Sequence, residues 1–315
     1  MRISAFFPGT LLATLILFLL LGAACAPAQS QNSGQTSDPS WRERPFTNPQ
    51  RVTIEGYEGH AMEPFISRDG QVLFFNNRNE PAEQTDIHFA TRVDDLTFTY
   101  AGRLAGAYEE ETLDGVPTMD RDGNFYFVSL RSYGTRVQGE TFSTIYTGRF
   151  DGTRVQGTEL VTNISRDRAF WVNFDAEISA DGGTLYTVEG LFRPILGGWR
   201  RANLALARRT SNGFRMDPDG ERLFAAINTG AWEYAAAVSE DELELYFTRF
   251  TGFAPFGSFS TWVSRRENRT EPFGEPERVE AIRGMAEAVT IAPGGRALYY
   301  HKREHGTFSI FRVTR

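Results

Sequence analysis

The stretch Glu63-Pro64-Phe65-Ile66-Ser67-Arg68-Asp69-Gly70-Gln71-Val72-Leu73-Phe74-Phe75 decides the fold. It reads as a short strand, an Asp-Gly turn and a second apolar strand, with both central turn residues expected at positive φ. The hairpin recurs. Ser179-Ala180-Asp181-Gly182-Gly183-Thr184-Leu185-Tyr186 is a second copy, and Asp120-Arg121-Asp122-Gly123-Asn124-Phe125-Tyr126-Phe127 a third. Ser239 to Phe247 keeps the frame with Glu242 in place of the glycine, and Ala292 to Tyr300 keeps the glycine but loses the aspartate. The corresponding positions Gly70, Gly123, Gly182, Glu242 and Gly295 lie 53, 59, 60 and 53 residues apart. Short strands repeating at this period indicate propeller blades.

A third strand of alternating pattern follows each hairpin, at Asp86–Arg92, Thr144–Arg149, Asn203–Arg208, Ser260–Arg265 and Ser309–Arg315. The last unit stops after this strand. At the other end, Pro45-Phe46-Thr47-Asn48-Pro49-Gln50-Arg51-Val52 matches the outer-strand segment Pro272-Phe273-Gly274-Glu275-Pro276-Glu277-Arg278-Val279. The expected fold is therefore all-β: a five-bladed β-propeller of four-stranded blades over residues 45–315, closed by an N-terminal strand that completes the last blade.

The hairpin copies resemble the WD40-like (PD40) repeats of TolB-like propellers, with their Ser-Pro-Asp-Gly turn and Leu-Tyr-Phe strand. Arg68, Arg121 and Ala180 stand where that pattern has Pro. The tail from Thr261 to Arg315 is similar to a form found in exported bacterial proteins. The resemblance implies the fold and leaves function open, because propellers host many activities.

Residues 1–24 read as a secretory signal peptide, with Arg2 ahead of the apolar run Leu11–Leu21. Cys25 is the single cysteine of the chain. After Gly22-Ala23-Ala24 it fits a lipid-anchor site, the alternative being ordinary cleavage after Ala28. Residues 25–44 read as a polar, disordered tether. The expected location is the periplasm, or a membrane through the lipid anchor. A formal net charge of −7 argues against a nucleic-acid partner.

Antiparallel order puts the entry of each first strand on the same face as the loop between strands two and three. Each entry carries an acid: Glu63, Asp114, Asp175, Glu233 and Glu287. They read either as a ring at the channel mouth or as structural clasps to the neighbouring blade, and their offsets from the hairpin vary. Two aromatic loops share that face, one with Phe192 and Trp199, the other with Phe253 and Phe256. The expectation is a monomeric, non-catalytic module with no metal or cofactor, whose acid ring and loops bind an envelope protein or glycan. The alternative is a glycoside hydrolase using Glu63, Asp175 and Glu233. A near-identical acid in every blade speaks for the first. Each histidine is expected in a hydrogen-bonded or solvated role.

Overall fold

The computed structural model describes residues 41–79, 81–193, 198–252 and 257–315. Its strands fall into five four-stranded groups. Blade one is Met62–Ile66, Val72–Asn76, Ile87–Arg92 and Thr97–Arg103, with Thr53–Glu55 added in parallel outside it. Blade two runs from Asp114–Met119 to Val155–Leu160, and blade three from Trp171–Ile178 to Gly213–Met216. Blade four starts at Trp232–Val238 and joins blade three through one parallel bridge, Ala202 to Trp232. Blade five is Ala286–Ile291, Ala297–Glu304 and Thr307–Thr314, and its outer strand is Thr47–Arg51. The five inner strands touch in ring order, the last against the first.

The closure expected from the two matching outer-strand segments is present. Arg51 pairs with Phe311, Gln50 with Arg312 and Thr47 with Thr314, and the Val52 N–H donates to the Ile310 carbonyl at 2.8 Å. The fold begins slightly earlier than the tether reading allows. Trp41 packs on Gly295 and receives the guanidinium groups of Arg296 and Arg315, so residues 41–44 belong to the propeller side of the boundary.

The hairpins differ from the simple Asp-Gly turn. In the copies that keep the aspartate only the residue after it is left-handed, with φ of 74° at Gly70 and 70° at Gly182, while in the fifth hairpin both Gly294 and Gly295 are, at 78° and 70°. The Ser and Asp before Gly70 cap the loop: Ser67 Oγ accepts the Val72 N–H and Asp69 Oδ1 the Gln71 N–H. Ser179 with Asp181, and Ser239 with Asp241, repeat this. Glu242 takes the left-handed conformation without being glycine, at φ 60°. The strain is offset because its buried carboxylate accepts from the Tyr186 hydroxyl at 2.8 Å and lies 3.7 Å from Arg266.

That contact is one of a series. In four of the five blades the aromatic residue at the middle of the second strand meets the next blade at or just past the end of its third strand. Arg209 donates to the Tyr126 hydroxyl, Arg266 to the Tyr186 hydroxyl, and Tyr299 donates to the Asp95 carbonyl across the closure. Between blades one and two, where Phe74 has no hydroxyl, the contact is an edge-on ring pair with Phe150 at 5.1 Å. Between blades four and five, Arg315 pairs with Glu244 at 2.6 Å and lies over the rings of Trp41 and Phe46.

Arg315 is fully buried on its side chain. Replacing it by Ala should destabilise the fold by about 3 kcal/mol, since Glu244 keeps only Arg265 and both ring contacts vanish. Urea denaturation followed by tryptophan fluorescence would read the shift.

Candidate active site

All five inner strands carry a register shift near the channel. Four hold a left-handed residue there: Glu63 at φ 47°, Val116 at 54°, Ala235 at 52° and Ala288 at 54°. The strain belongs to the repeated bulge, not to the carboxylate of Glu63.

Registers past the bulge align the blades. Phe65, Thr118, Glu177, Ala237 and Thr290 each pair with the aromatic residue of the neighbouring strand. Counting back two residues gives one ring: Glu63, Val116, Asp175, Ala235 and Ala288, all lining the channel. The five entry acids are therefore not equivalent. Glu63 and Asp175 share this level, Glu287 is one residue higher, and Asp114 and Glu233 one higher still.

The upper pair is structural. Asp114 is fully buried, pairs with Arg131 at 2.6 Å and accepts the Glu109 N–H. Glu233, also fully buried, pairs with Arg249 at 2.9 Å and accepts from the Thr229 hydroxyl and N–H. These two are neutralised within their own blades, by an arginine and by the entry loop, and are not clasps to the neighbouring blade; the acid with a bond of that expected kind is Asp175, to the Ala235 N–H of blade four. Glu233 is thus removed from the catalytic candidates.

The other three converge. Glu63 Oε1 accepts from Asn79 at 3.2 Å. Asp175 Oδ2 accepts the Ala235 N–H at 2.8 Å. Glu287 accepts from the Tyr234 hydroxyl and stands 3.5 Å from His301 Nε2. Among the described residues none of the three has an Arg or Lys ion pair. The Glu63 N–H donates to His301 Nδ1 at 3.0 Å, so the ring N–H is on Nε2, towards Glu287. The hydrogen-bonded role expected for His301 is what it has, and it links two of the three acids.

Burial raises the Asp175 pKa well above the usual carboxylate range, and the charges of Glu63 and Glu287 add to the rise against the Ala235 N–H. Burial also raises Glu63, opposed by His301, reinforced by Glu287 and opposed again by Asn79. The channel between them has a cavity of about 30 Å³. That is room for about two waters. On the hairpin side Arg68 of blade one reaches across to blades two and three, donating to the Met119 carbonyl at 3.1 Å and to Glu177 at 3.0 Å. Anything much larger than a pair of waters could meet these acids only at the open mouth.

The aromatic loops fare differently. Phe192 is buried at 5% exposure and is no contact surface. Trp199 lies opposite Phe192 in the blade-three hairpin. Phe253, Phe256 and Cys25 lie outside the described residues. Missed by sequence reasoning were Tyr234, the Asn79 support of Glu63, and a ridge of Tyr133, Phe142, Phe170 and Trp171 on the entry face. No group of His, Cys, Asp and Glu among the described residues could hold a metal ion.

No protein-family model matches the chain, and no curated protein matches its sequence. Solved structures do match. A glycoside hydrolase aligns at TM-score 0.54 and 11% identity, over 86% of this chain and 91% of its own. The endo-arabinase of Bacteroides thetaiotaomicron aligns at TM-score 0.51 and 15% identity, over 84% and 97%. The chain is a β-propeller. The expectation of a non-catalytic module is corrected here. Its premise, five near-equivalent acids, fails on the register, and the two solved structures just named are a glycoside hydrolase and an endo-arabinase.

The two classes of acid should respond oppositely to neutralisation. Glu233→Gln leaves Arg249 without its counter-charge and should lower stability by about 2 kcal/mol. Asp175→Asn should raise stability at neutral pH by about 1 kcal/mol. The sign follows from the raised pKa: folded Asp175 holds its proton more tightly than unfolded, so its contribution is full at acid pH and is lost as pH climbs from the ordinary carboxylate value to the folded one. Melting curves from pH 4 to 8 would show the parent losing stability over that climb more steeply than the Asn variant.

Proposed function

We propose that this propeller hydrolyses glycosidic bonds at its channel mouth, with Asp175 as the acid and Glu63 as the base. The observation that carries the reading is the convergence of Glu63, Asp175 and Glu287 without a basic ion-pair partner beyond His301, while Asp114 and Glu233 are neutralised. Hydrolysis of this kind needs two carboxyl groups whose environments push their pKa values apart. Asp175 meets the demand for a carboxyl that keeps its proton, being buried and facing two other carboxylates. It would donate that proton to the departing glycosidic oxygen. Glu63, supported by Asn79 and by His301 at its peptide, would be ionised and take a proton from a channel water that adds to the anomeric carbon. Glu287, fixed by Tyr234 and His301, would act through its field, holding the proton on Asp175.

The signal segment and Cys25 would place such an enzyme in the envelope, tethered or free, where glycans are accessible. The resemblance to an endo-arabinase makes arabinan one polymer to include in a substrate panel.

Reducing-sugar release from that panel tests the reading. Asp175→Asn and Glu63→Gln should each lower kcat by about a thousandfold. Glu233→Gln, assayed below its melting temperature, should keep its turnover. Activity should fall at acid pH as Glu63 takes a proton, and at higher pH as Asp175 loses one. An intact panel, or loss through Glu233→Gln alone, would overturn the assignment.

A further inference from the structure

Of the described residues, only Val93 and Phe170 are large hydrophobics left exposed, and Phe170 is so at 51%. Its φ is 72°. A bulky L residue avoids this region because its Cβ crowds the backbone. The surroundings hold it there. The Phe170 N–H donates to the Tyr133 hydroxyl at 3.2 Å, and its carbonyl accepts the Phe192 N–H at 2.8 Å. The same Tyr133 hydroxyl donates to the Trp171 carbonyl at 3.3 Å. The loop leading in is docked as well, since Asp167 accepts the N–H groups of Thr141 and Phe142. Beside it, Arg166 lies over the Trp171 ring at 4.4 Å and pairs with Glu189 at 2.8 Å. The result is an apolar ring presented to solvent on a backbone fixed from both sides. A core residue would gain from burial and a loop residue would relax; this one does neither. Strain maintained at an exposed aromatic residue points to a ligand.

Its place selects the ligand. Phe170 directly precedes the inner strand that carries Asp175, so it borders the channel mouth on the entry face. We infer that Phe170 is a stacking platform for a sugar ring of a polymeric glycan, an inference resting on the hydrolase reading. The C–H face of a sugar presents weakly positive hydrogens, and the face of a benzene ring is negative. Because the backbone beneath the ring is already held, stacking on it leaves only the side-chain rotamer to be ordered. Asp175 is five positions along the strand from Phe170, roughly 15 Å. The stacked ring is therefore several sugar units from the bond cut. The platform serves long substrates and is idle for small ones.

The test uses the full exported chain. Soluble arabinan, galactan, xylan and mannan are cast in native gels, and retardation of the Glu63→Gln, Asp175→Asn double variant reports binding without turnover. Adding Phe170→Gly should weaken retention by the best polymer about tenfold, and Phe170→Trp should preserve it. Glycine accepts a left-handed φ freely, so the melting temperature should hold or rise. In the active protein, Phe170→Gly should raise KM on the polymer about tenfold at unchanged kcat and leave a small aryl glycoside unaffected. Undiminished retention by the Gly variant, a melting temperature several degrees lower, or no polymer retained at all would each overturn the inference. Retention that depends on Phe170 in a protein without hydrolytic activity would sink the hydrolase reading and keep the platform; hydrolysis indifferent to Phe170→Gly would do the reverse.

Discussion

The pairing of Thr47–Arg51 with Thr307–Thr314 is the constraint on which the molecule depends. A ring of sheets has one seam, and an open seam would leave two unpaired strand edges. Here the seam is closed by backbone hydrogen bonds, by Val52 and Phe46 packed into the cores on either side, and by Arg315 held between Glu244 and the Trp41 and Phe46 rings. Closing the ring fixes the distances across the channel. Glu63 and Asp175 belong to blades one and three, whose inner strands both flank that of blade two, and the closed circle holds them facing one another.

Stability and chemistry are separated along the channel axis. Near the hairpin face, each blade is tied to the next through Phe74, Tyr126, Tyr186, Glu244 or Tyr299, and Arg68 ties blade one to blade three through Glu177. Near the mouth, Asp114 and Glu233 are held by arginines of their own blades. Between these two neutralised layers sits a level where carboxyl groups face each other with little compensation. Such a level raises the energy of the fold. It is tolerable because the layers above and below do not rely on it. Arg68 reaches Glu177 and the Ile178 carbonyl across the channel, which a Pro at this position could not do.

Much of this was legible in the residues. The recurrence of the Ser-x-Asp-Gly hairpin and the match between Pro45–Val52 and Pro272–Val279 gave the blades and the closure, because both are local and repeat. The acids were legible too, and so was the clue to their inequality. Glu63 and Asp175 stand equally far from their hairpin positions, Asp114 and Glu233 further, and Glu287 between. Variation that weakened a uniform ring was in fact the sorting of acids into levels, readable once the bulge register supplies the origin. Phe192 misled because an aromatic residue in an apolar loop looks the same whether it faces water or the blade. Phe170 gave no signal at all: its exposure comes from contacts with Tyr133, 37 residues away.

The chain by itself determined the repeat, the hairpins, the closing strand and the supply of one acid per blade, since each depends on neighbours in sequence or on copies of the same pattern. The tertiary structure alone decided which acids are neutralised. Arg131 and Arg249 are bonded to Asp114 and Glu233 because their side chains return to the same strand entries. Glu63, Asp175 and Glu287 meet no such arginine, and whether a carboxyl finds a counter-charge or another carboxyl is settled by through-space distance, which closing the ring sets and spacing along the chain does not.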